Sequence, residues 1–202
     1  MAMTILASHY LPSIQYFQHL LNAEKVQIEA FENYQKQTYR NRCYILGANK
    51  VELLSIPVLS SSKGEKLPIQ AVELDQQQRW RVIHWRTITT AYGKSPFFVY
   101  YEELLKDAFF QPQKYLFEFN TTLLKTILKL LQINTPIEYT QEFIINYPTD
   151  CLDVRDAIPQ PNAATLPQMP YRQVFGETFT NNLSILDLLF CKGNQAKNYL
   201  LL

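Results

Sequence analysis

Short apolar stretches and two-residue alternation mark the first part of the chain. Residues 4–7 form a mostly apolar run, and residues 25–30 alternate between apolar and polar side chains. Both patterns predict strands, because successive side chains of a strand point to opposite faces. Residues 43–46 and 51–58 flank a Gly-Ala-Asn-Lys turn and predict a hairpin, and residues 69–74 predict a further strand.

Apolar residues three or four positions apart characterise most of the later chain, which is the spacing of a helix with one buried face. Predicted helices cover residues 13–22, 80–93, 95–107, 112–130, 184–193 and 194–202. The sequence Ser-Ile-Leu-Asp at 184–187 resembles a capping box at the start of one of them. Residues 137–145 predict one more strand, and residues 60–66 a polar loop.

The order of these elements predicts the fold class. Strands and helices are mixed early and helices follow, so we expect an α/β (or α+β) fold forming a single domain over 1–202. Its mixed sheet should come mainly from roughly the first 75 residues, with helices of the C-terminal part packed on it. Residues 156–170 contain several prolines and predict a Pro-rich loop or lid.

Composition excludes several classes of protein. The chain has 202 residues, 47% hydrophobic and 18% charged, which is typical of a folded domain. A net charge of +1 argues against a nucleic-acid partner. The 5 glycines form no glycine-rich phosphate-binding motif.

The ends and the cysteines predict a cytoplasmic protein. No signal peptide is recognisable, and no apolar run reaches the ~18 residues of an integral membrane segment. The 3 cysteines are far apart, which favours reduced thiols. No cysteine or histidine pair has zinc-ligand spacing, so a metal site would have to consist mostly of carboxylates, and we assign no metal ligand and name no cofactor.

A polar run at 32–42 is the most informative segment. Lys36, Arg40 and Arg42 place three cations close together, with Asn41 among the neighbouring amides. Such a set suits a phosphate or a carboxylate, since arginine offers a planar fork and lysine a point charge. The alternative is a solvated surface loop.

His84 and Cys43 are the candidates for proton transfer and nucleophilic attack. His84 lies one helical turn from Trp80, facing the core, where a neutral imidazole suits a general base; the alternative is a hydrogen-bonded core histidine. Arg86 lies on another face of that helix. Neighbouring arginines should lower the pKa of the Cys43 thiol, and Cys43 could then form a Cys-His nucleophile with His84. The alternative is that Cys43 is an ordinary small, buried strand residue.

Two further groups of polar residues adjoin predicted strands. Glu29, on the polar face of its strand, and Glu32 could together transfer protons or hold a divalent ion, unless they pair with Lys36 or Arg40. His9 and Tyr10 follow the first strand. Ligands of α/β sheets bind at the carboxyl ends of strands, so these two residues are candidates for a pocket.

Several segments together resemble one family over the whole length of the chain. The most specific are Gln-Lys-Gln-Thr-Tyr-Arg-Asn-Arg at 35–42 and Ser-Ile-Pro-Val at 55–58. Others are Tyr-Leu-Pro-Ser-Ile-Gln-Tyr-Phe at 10–17, His-Trp-Arg at 84–86 and Asn-Leu-Ser-Ile-Leu-Asp-Leu-Leu-Phe at 182–190. The chain resembles the WbqC-like family. That resemblance implies a role in bacterial O-antigen and other surface-polysaccharide biosynthesis.

The leading hypothesis is a cytoplasmic transferase of surface-glycan assembly that acts on an activated or amino sugar. The transferred group is acyl, aminoacyl or glycosyl, and the small-molecule partner is a sugar-phosphate or nucleotide-sugar. The expected substrate-binding residues are Tyr10, Lys36, Arg40, Asn41, Arg42 and Arg86. His84 or Glu29 is the expected base.

Two other hypotheses stay open at this point. One is a non-catalytic binding or assembly protein of the same pathway, docking through the aromatic residues at 97–101. The other is a thiol hydrolase using Cys43 and His84. A homo-oligomer is compatible with each of them.

Overall fold

The computed structural model describes residues 3–59 and 66–201. Within that part of the chain the strands are β1 (Met3–Ala7), β2 (Lys25–Glu29), β3 (Arg42–Leu46), β4 (Val51–Ser55), β5 (Ile137–Tyr139) and β6 (Leu152–Asp153). The α-helices are α1 (Ile14–Leu21), α2 (Trp80–Tyr92), α3 (Phe98–Phe110), α4 (Leu116–Leu130) and α5 (Ile185–Lys192). Two 3₁₀ helices cover Ile69–Ala71 and Gly193–Tyr199. The loop predicted at 60–66 lies, except for its last residue, outside the described residues.

A four-stranded parallel sheet in the order β5-β2-β1-β6 forms the centre of the fold. β1 and β2 pair in parallel, from Met3 opposite Lys25 to Ala7 opposite Glu29. Ile5, Leu6 and Ala7 are consecutive and each is 0% exposed, so β1 is covered on both faces. Parallel sheets are usually buried in this way, because the crossover helices pack on their faces.

The predicted hairpin is confirmed as β3 and β4, which pair antiparallel from Arg42 opposite Ser55 to Leu46 opposite Val51. The predicted helices at 13–22, 80–93, 95–107 and 112–130 correspond to α1, α2, α3 and α4. The predicted and observed helices agree because each helix carries an apolar stripe that the sequence pattern reveals. In α4, for example, Leu116, Phe119, Leu123 and Ile127 are all 0% exposed.

Aromatic rings join the helices to the end of β1. The ring of Phe119 in α4 lies 5.3 Å from that of Trp80, 5.6 Å from that of Phe109 and 6.0 Å from that of Tyr10. These centroid distances are those of packed aromatic pairs. The cluster fixes the segment that follows β1 against α2, α3 and α4.

The fold is α/β, as predicted, and its strands lie mainly in the first 75 residues, but they form a parallel sheet and a separate antiparallel hairpin instead of one mixed sheet. Only β1 and β2 of the parallel sheet come from the first 75 residues, whereas β5 and β6 come from 137–153. β6 has two residues and β5 ends at Tyr139, so neither strand is long enough to show alternation.

The strand predicted at 69–74 is also wrong. Ile69–Ala71 is a 3₁₀ turn in which Ala71 N–H donates to the Pro68 carbonyl. Ile69 N–H donates to the Glu32 carbonyl, and Glu73 and Leu74 make only isolated bridges. The apolar side chains are buried here without a continuous ladder.

The predicted capping box at 184–187 is only half formed. The Ser184 hydroxyl accepts from Leu186 N–H at 3.4 Å. The Asp187 carboxylate instead accepts from the Tyr171 hydroxyl at 2.6 Å and from Gln173 Nε2 at 2.9 Å. The carboxylate therefore anchors the segment before α5. The final helix predicted at 194–202 is a 3₁₀ helix in the described residues.

Residues 158–170, here called the strap, contain no helix or strand and cross α1. Gln15 Nε2 donates to the Thr165 hydroxyl at 2.7 Å, and Thr165 N–H donates to Gln15 Oε1 at 3.1 Å. Gln18 Nε2 donates to the Pro167 carbonyl at 2.7 Å. These contacts explain why Gln15 and Gln18, although polar, are only 1% and 0% exposed. The lid role and the single domain over 1–202 stay predictions.

Among the helices of the described residues, none combines the length and the apolarity needed to cross a lipid bilayer.

The strap contacts give a first prediction. Gln15→Ala removes two hydrogen bonds and leaves polar groups of the strap unpaired, which costs about 1–3 kcal/mol. We expect a melting temperature several degrees lower and faster proteolysis within the strap, measured by calorimetry and limited trypsin or thermolysin digestion. Gln195→Ala, at an exposed glutamine, is the matched control. Equal melting temperatures for the two variants would contradict the anchoring role of Gln15.

Candidate functional site

Polar residues collect where the parallel strands end. His9 follows β1, Glu29 and Glu32 lie at the end of β2, and Arg155 and Asp156 follow β6. Because the strands are parallel, these segments meet at one edge of the sheet. This carboxyl edge is where ligands bind in open α/β sheets.

Arg155 neutralises the buried end of β2. The Glu29 side chain is 0% exposed, and its Oε2 accepts from Arg155 Nη1 at 3.0 Å. Its Oε1 accepts from the Thr140 hydroxyl and from Phe31 N–H, both at 2.8 Å. Arg155 also donates to Asp153, at 2.6 Å from Nη2. Glu29 therefore holds its full set of partners inside the protein.

Arg40 forms the second buried ion pair. Its side chain is 1% exposed, and Nε donates to Glu32 Oε1 at 2.7 Å. Nη2 donates to Asp156 Oδ1 at 3.0 Å. Burial by itself lowers the pKa of Arg40, but the hydrogen bonds that Arg40 donates to Glu32 prevail and raise it above its ordinary value. The guanidinium is therefore charged, and it fixes Glu32 and Asp156.

Two adjoining pockets open at this edge and share Arg155 and Asp156. The larger, called the main cleft, has a volume of about 680 Å³. It is lined by Glu32, Asn33, Tyr34, Gln35, Lys66, Phe143, Ile145, Asp153, Arg155, Asp156 and Ala157. The smaller, called the small pocket, has a volume of about 190 Å³. It is lined by His9, Gln37, Thr38, Tyr39, Arg40, Arg42, Tyr44, Arg155, Asp156, Ile158 and Gln160.

His9 lies in the wall of the small pocket between two tyrosine rings. Its ring centroid is 5.0 Å from that of Tyr16 and 5.3 Å from that of Tyr39. Nδ1 is buried and has no hydrogen-bond partner among the described residues. Burial, reinforced by the charge of Arg40, lowers the pKa of His9 well below its ordinary value. The imidazole is therefore neutral at pH 7.

Arg42 differs from the two other arginines of the small pocket. Arg40 and Arg155 each pair with two carboxylates, whereas no ion pair of Arg42 occurs among the described residues. Its Nη1 makes one long bond of 3.4 Å to the Gln37 carbonyl, and its buried Nε has no partner there. The charge of Arg42 is thus available to a ligand.

The structure divides the predicted basic run between different surroundings. Arg42 and Arg40 line the small pocket, but Arg40 is committed to its carboxylates. Lys36 is exposed and, together with Asn41, lines an adjoining depression of about 530 Å³ that shares Tyr34 and Lys66 with the main cleft. Asn41 Nδ2 donates to the Ile56 carbonyl at 3.0 Å. The run is therefore divided between adjoining depressions.

Tyr10 and His84 meet in the core. The Tyr10 hydroxyl lies 3.0 Å from His84 Nδ1, and the imidazole also bonds the backbone of Ser55. Burial lowers the pKa of His84 to about 4. This is the arrangement of a satisfied core histidine, and neither residue lines the main cleft or the small pocket. Arg86 is exposed on α2, also away from both pockets.

Two expectations about local environment are wrong. Cys43 is 1% exposed, and burial raises its pKa well above the ordinary value instead of arginine lowering it. The Cys-His hydrolase hypothesis therefore has no activated thiol here. Glu29 is fully buried instead of lying on a polar strand face, because β2 is an inner strand and Arg155 supplies its counter-charge.

Sequence reasoning missed the contribution of Asp153, Arg155 and Asp156. The signal was a short charged stretch, Asp-Val-Arg-Asp, directly after Leu152. A two-residue strand gives no alternation to place it at the sheet edge. Within the described residues, no cluster of three or more His, Cys, Asp and Glu side chains has the arrangement of a metal site.

Fold and site together define an α/β protein with a charged crevice, made up of the main cleft and the small pocket, at the carboxyl edge of a parallel sheet. The chain belongs to the WbqC-like protein family, whose model matches residues 7–157. That range contains both buried ion pairs and the three arginines of the small pocket, Arg40, Arg42 and Arg155, but none of the strap. No curated protein and no solved structure matches the chain significantly.

The buried pair Arg40–Glu32 gives a second prediction. Arg40→Met leaves the Glu32 carboxylate buried without its counter-charge, which should destabilise the fold by about 3–5 kcal/mol. The double variant Arg40→Met/Glu32→Leu should recover much of that loss, because no isolated charge remains. Urea unfolding followed by circular dichroism measures both. A double variant no more stable than Arg40→Met would contradict the pairing argument.

His84 gives a pH prediction. The folded state keeps the imidazole neutral down to a pKa of about 4, whereas the unfolded state takes up a proton near its ordinary value of 6.5. The contribution of His84 to the free energy of unfolding is therefore complete above pH 6.5 and decreases as the pH falls towards 4. Unfolding free energies between pH 7 and 4 should decrease less steeply for His84→Phe than for the wild type. Parallel profiles would show that His84 contributes nothing to this pH dependence.

Proposed function

We propose that the chain is a cytoplasmic enzyme of bacterial surface-glycan assembly. It transfers an acyl, aminoacyl or glycosyl group in a reaction that involves an activated or amino sugar. The observation that carries this proposal is the pair of adjoining pockets with shared walls at the carboxyl edge of the sheet. A reaction between two substrates needs two neighbouring subsites that bring the reacting groups together.

The main cleft supports a sugar-sized ligand. Its volume of about 680 Å³ lies in the range of small-molecule pockets. Tyr34 and Phe143 offer ring faces, and Asn33 and Gln35 offer amide groups for hydroxyls. The Arg155 guanidinium lies 5.0 Å from the centroid of the Phe143 ring. The cleft thus combines flat apolar surfaces with neutral hydrogen-bonding groups and charges.

The ion pairs support a preorganised site. Arg155 and Asp156 form the boundary of both pockets, and each is held by a buried partner. Groups held in place before the substrate arrives need little reorganisation in the transition state. We assign Glu29 to this supporting structure and His84 to the core, and neither to proton transfer, because hydrogen bonds within the protein already occupy both.

The family membership supports the biological setting. The resemblance on residues 35–42 and 55–58 implies surface-polysaccharide biosynthesis, and the donors of such pathways are sugar-phosphates or nucleotide-sugars. Lys66 in the main cleft suits the phosphate of such a donor. Lys36 and Asn41, in the neighbouring depression, are proposed to contact a longer acceptor.

The alternative function, a non-catalytic assembly protein, rests on a different surface. Val99 and Tyr100 on α3 are each 72% exposed, and Leu104 is 48% exposed. Phe98, by contrast, is buried at 4%. This apolar face of α3 suits protein docking.

A complementation assay distinguishes the two functions. Phe143→Ala should reduce surface-glycan synthesis by about tenfold, because the 46% exposed ring contributes contact with the sugar more than core packing. The assay is made in a strain that lacks the chain, with glycan measured by gel electrophoresis and mass spectrometry. Arg79→Ala, at an exposed position outside the crevice, is the control.

The contrary outcome is equally specific. Full glycan synthesis with Phe143→Ala, together with its loss in Tyr100→Ser, would overturn the transferase proposal and favour docking through α3. Protein levels and circular dichroism spectra of all variants exclude loss by misfolding.

A further inference from the structure

We infer that the small pocket is an oxyanion subsite in which Arg42 and His9 bind one carboxylate or phosphate group of the substrate. This inference rests on the proposed function and specifies the chemistry of one of its two subsites. The sequence suggested an anion held by Lys36, Arg40 and Arg42 together. The structure replaces that set with one arginine and a histidine.

Charge is the first argument. The charged residues that line the small pocket are three arginines and one aspartate. Arg40 and Arg155 are neutralised by Glu32, Glu29 and Asp153, and Asp156 binds Arg40. The positive charge of Arg42 has no carboxylate partner among the described residues, so Arg42 is the arginine of this pocket whose charge is left for a ligand. An anion is the ligand that balances it.

Unpaired hydrogen-bonding groups are the second argument. Arg42 and His9 belong to different segments and line the same pocket, and Arg42 Nε and His9 Nδ1 are buried without partners in the described part of the chain. A buried polar group without a partner costs about 1–3 kcal/mol, so two of them in one small pocket need an explanation. An oxyanion accepts from Arg42 Nε–H and from a proton on His9 Nδ1.

Size limits the ligand group. A volume of about 190 Å³ equals about six water molecules at roughly 30 Å³ each. The small pocket therefore takes a carboxylate or phosphate and its nearest atoms, and the rest of the substrate extends past Arg155 and Asp156 into the main cleft. Gln37, Thr38 and Gln160 supply further polar side chains around the anion.

Anion binding is coupled to protonation. Without an anion, burial and Arg40 keep His9 neutral. A bound oxyanion favours a proton on Nδ1 and so raises the pKa of His9. Affinity for the anion should therefore increase as the pH falls, and this dependence should disappear when residue 9 cannot titrate. His9→Asn is the suitable variant, because its amide reaches about as far as Nδ1.

The experiment is a thermal-shift and calorimetric titration of the full chain with sodium phosphate, sodium sulfate and sodium acetate at constant ionic strength. At ten times the dissociation constant we expect the melting temperature to rise by about 3 °C or more. Phosphate and acetate distinguish the two sources of the oxyanion. Arg42→Gln should abolish the shift, Arg42→Lys should retain part of it, and Arg79→Gln should leave it unchanged.

Two results would overturn the inference. One is no shift of the wild type with any of the three anions up to about 50 mM, where even weak specific binding is visible. The other is an unchanged shift in Arg42→Gln. If Arg42→Gln does not fold, the anion affinities of Arg42→Lys and His9→Asn test the inference instead. Affinities equal to that of the wild type in both variants would contradict the subsite.

Failure of this inference and failure of the proposed function are separable. Anion binding that is lost in Arg42→Gln, combined with normal glycan synthesis in Phe143→Ala, supports the subsite and contradicts the transferase. Absent anion binding, combined with glycan loss in Phe143→Ala, contradicts only the subsite.

Discussion

Burial of carboxylates at the carboxyl edge of the parallel sheet is the constraint on which the rest of the molecule depends. Glu29 and Glu32 have side chains only 0% and 4% exposed, and such charges are tolerated only when they are paired and hydrogen-bonded. Arg155 and Arg40 arrive from segments 126 and 8 residues away along the chain to pair with them. The two ion pairs thereby bring β2, β6 and the segment between β2 and β3 together, and their outer atoms form the walls of the crevice.

The strap extends this arrangement beyond the family-matched range. It begins directly after the last matched residue, Ala157, and Ile158 and Gln160 line the small pocket. Pro159 accepts hydrogen bonds from the Tyr39 hydroxyl at 2.9 Å and from Asn182 Nδ2 at 2.6 Å. Tyr39, which belongs to the polar run at 32–42, packs on the His9 ring and donates to the strap, so it links all three parts by direct contacts. Local stability of the strap therefore affects the shape of the small pocket.

Sequence reasoning reached the elements that have a clear period. The stripe of α4 and the alternation of β3 and β4 are long enough to predict helix and hairpin. It failed where tertiary contacts replace local pattern, as in β6, and at Ile69, whose N–H bonds the distant Glu32 carbonyl. For the site, His9 was placed at a strand end by its position after β1, and this location is correct. The partner of Glu29 could not be predicted, because the spacing between Glu29 and Arg155 carries no local signal.

The central claim is that substrate binds in the crevice at the carboxyl edge of the sheet. Its most direct test is an amide chemical-shift titration of the labelled full chain with a nucleotide-sugar such as UDP-N-acetylglucosamine. We expect saturable shifts at residues 33–38 and 153–158, around both pockets, and unchanged signals on the exposed face of α3. Shifts confined to α3, or none in the crevice with this ligand and with simple sugar-phosphates, would contradict it.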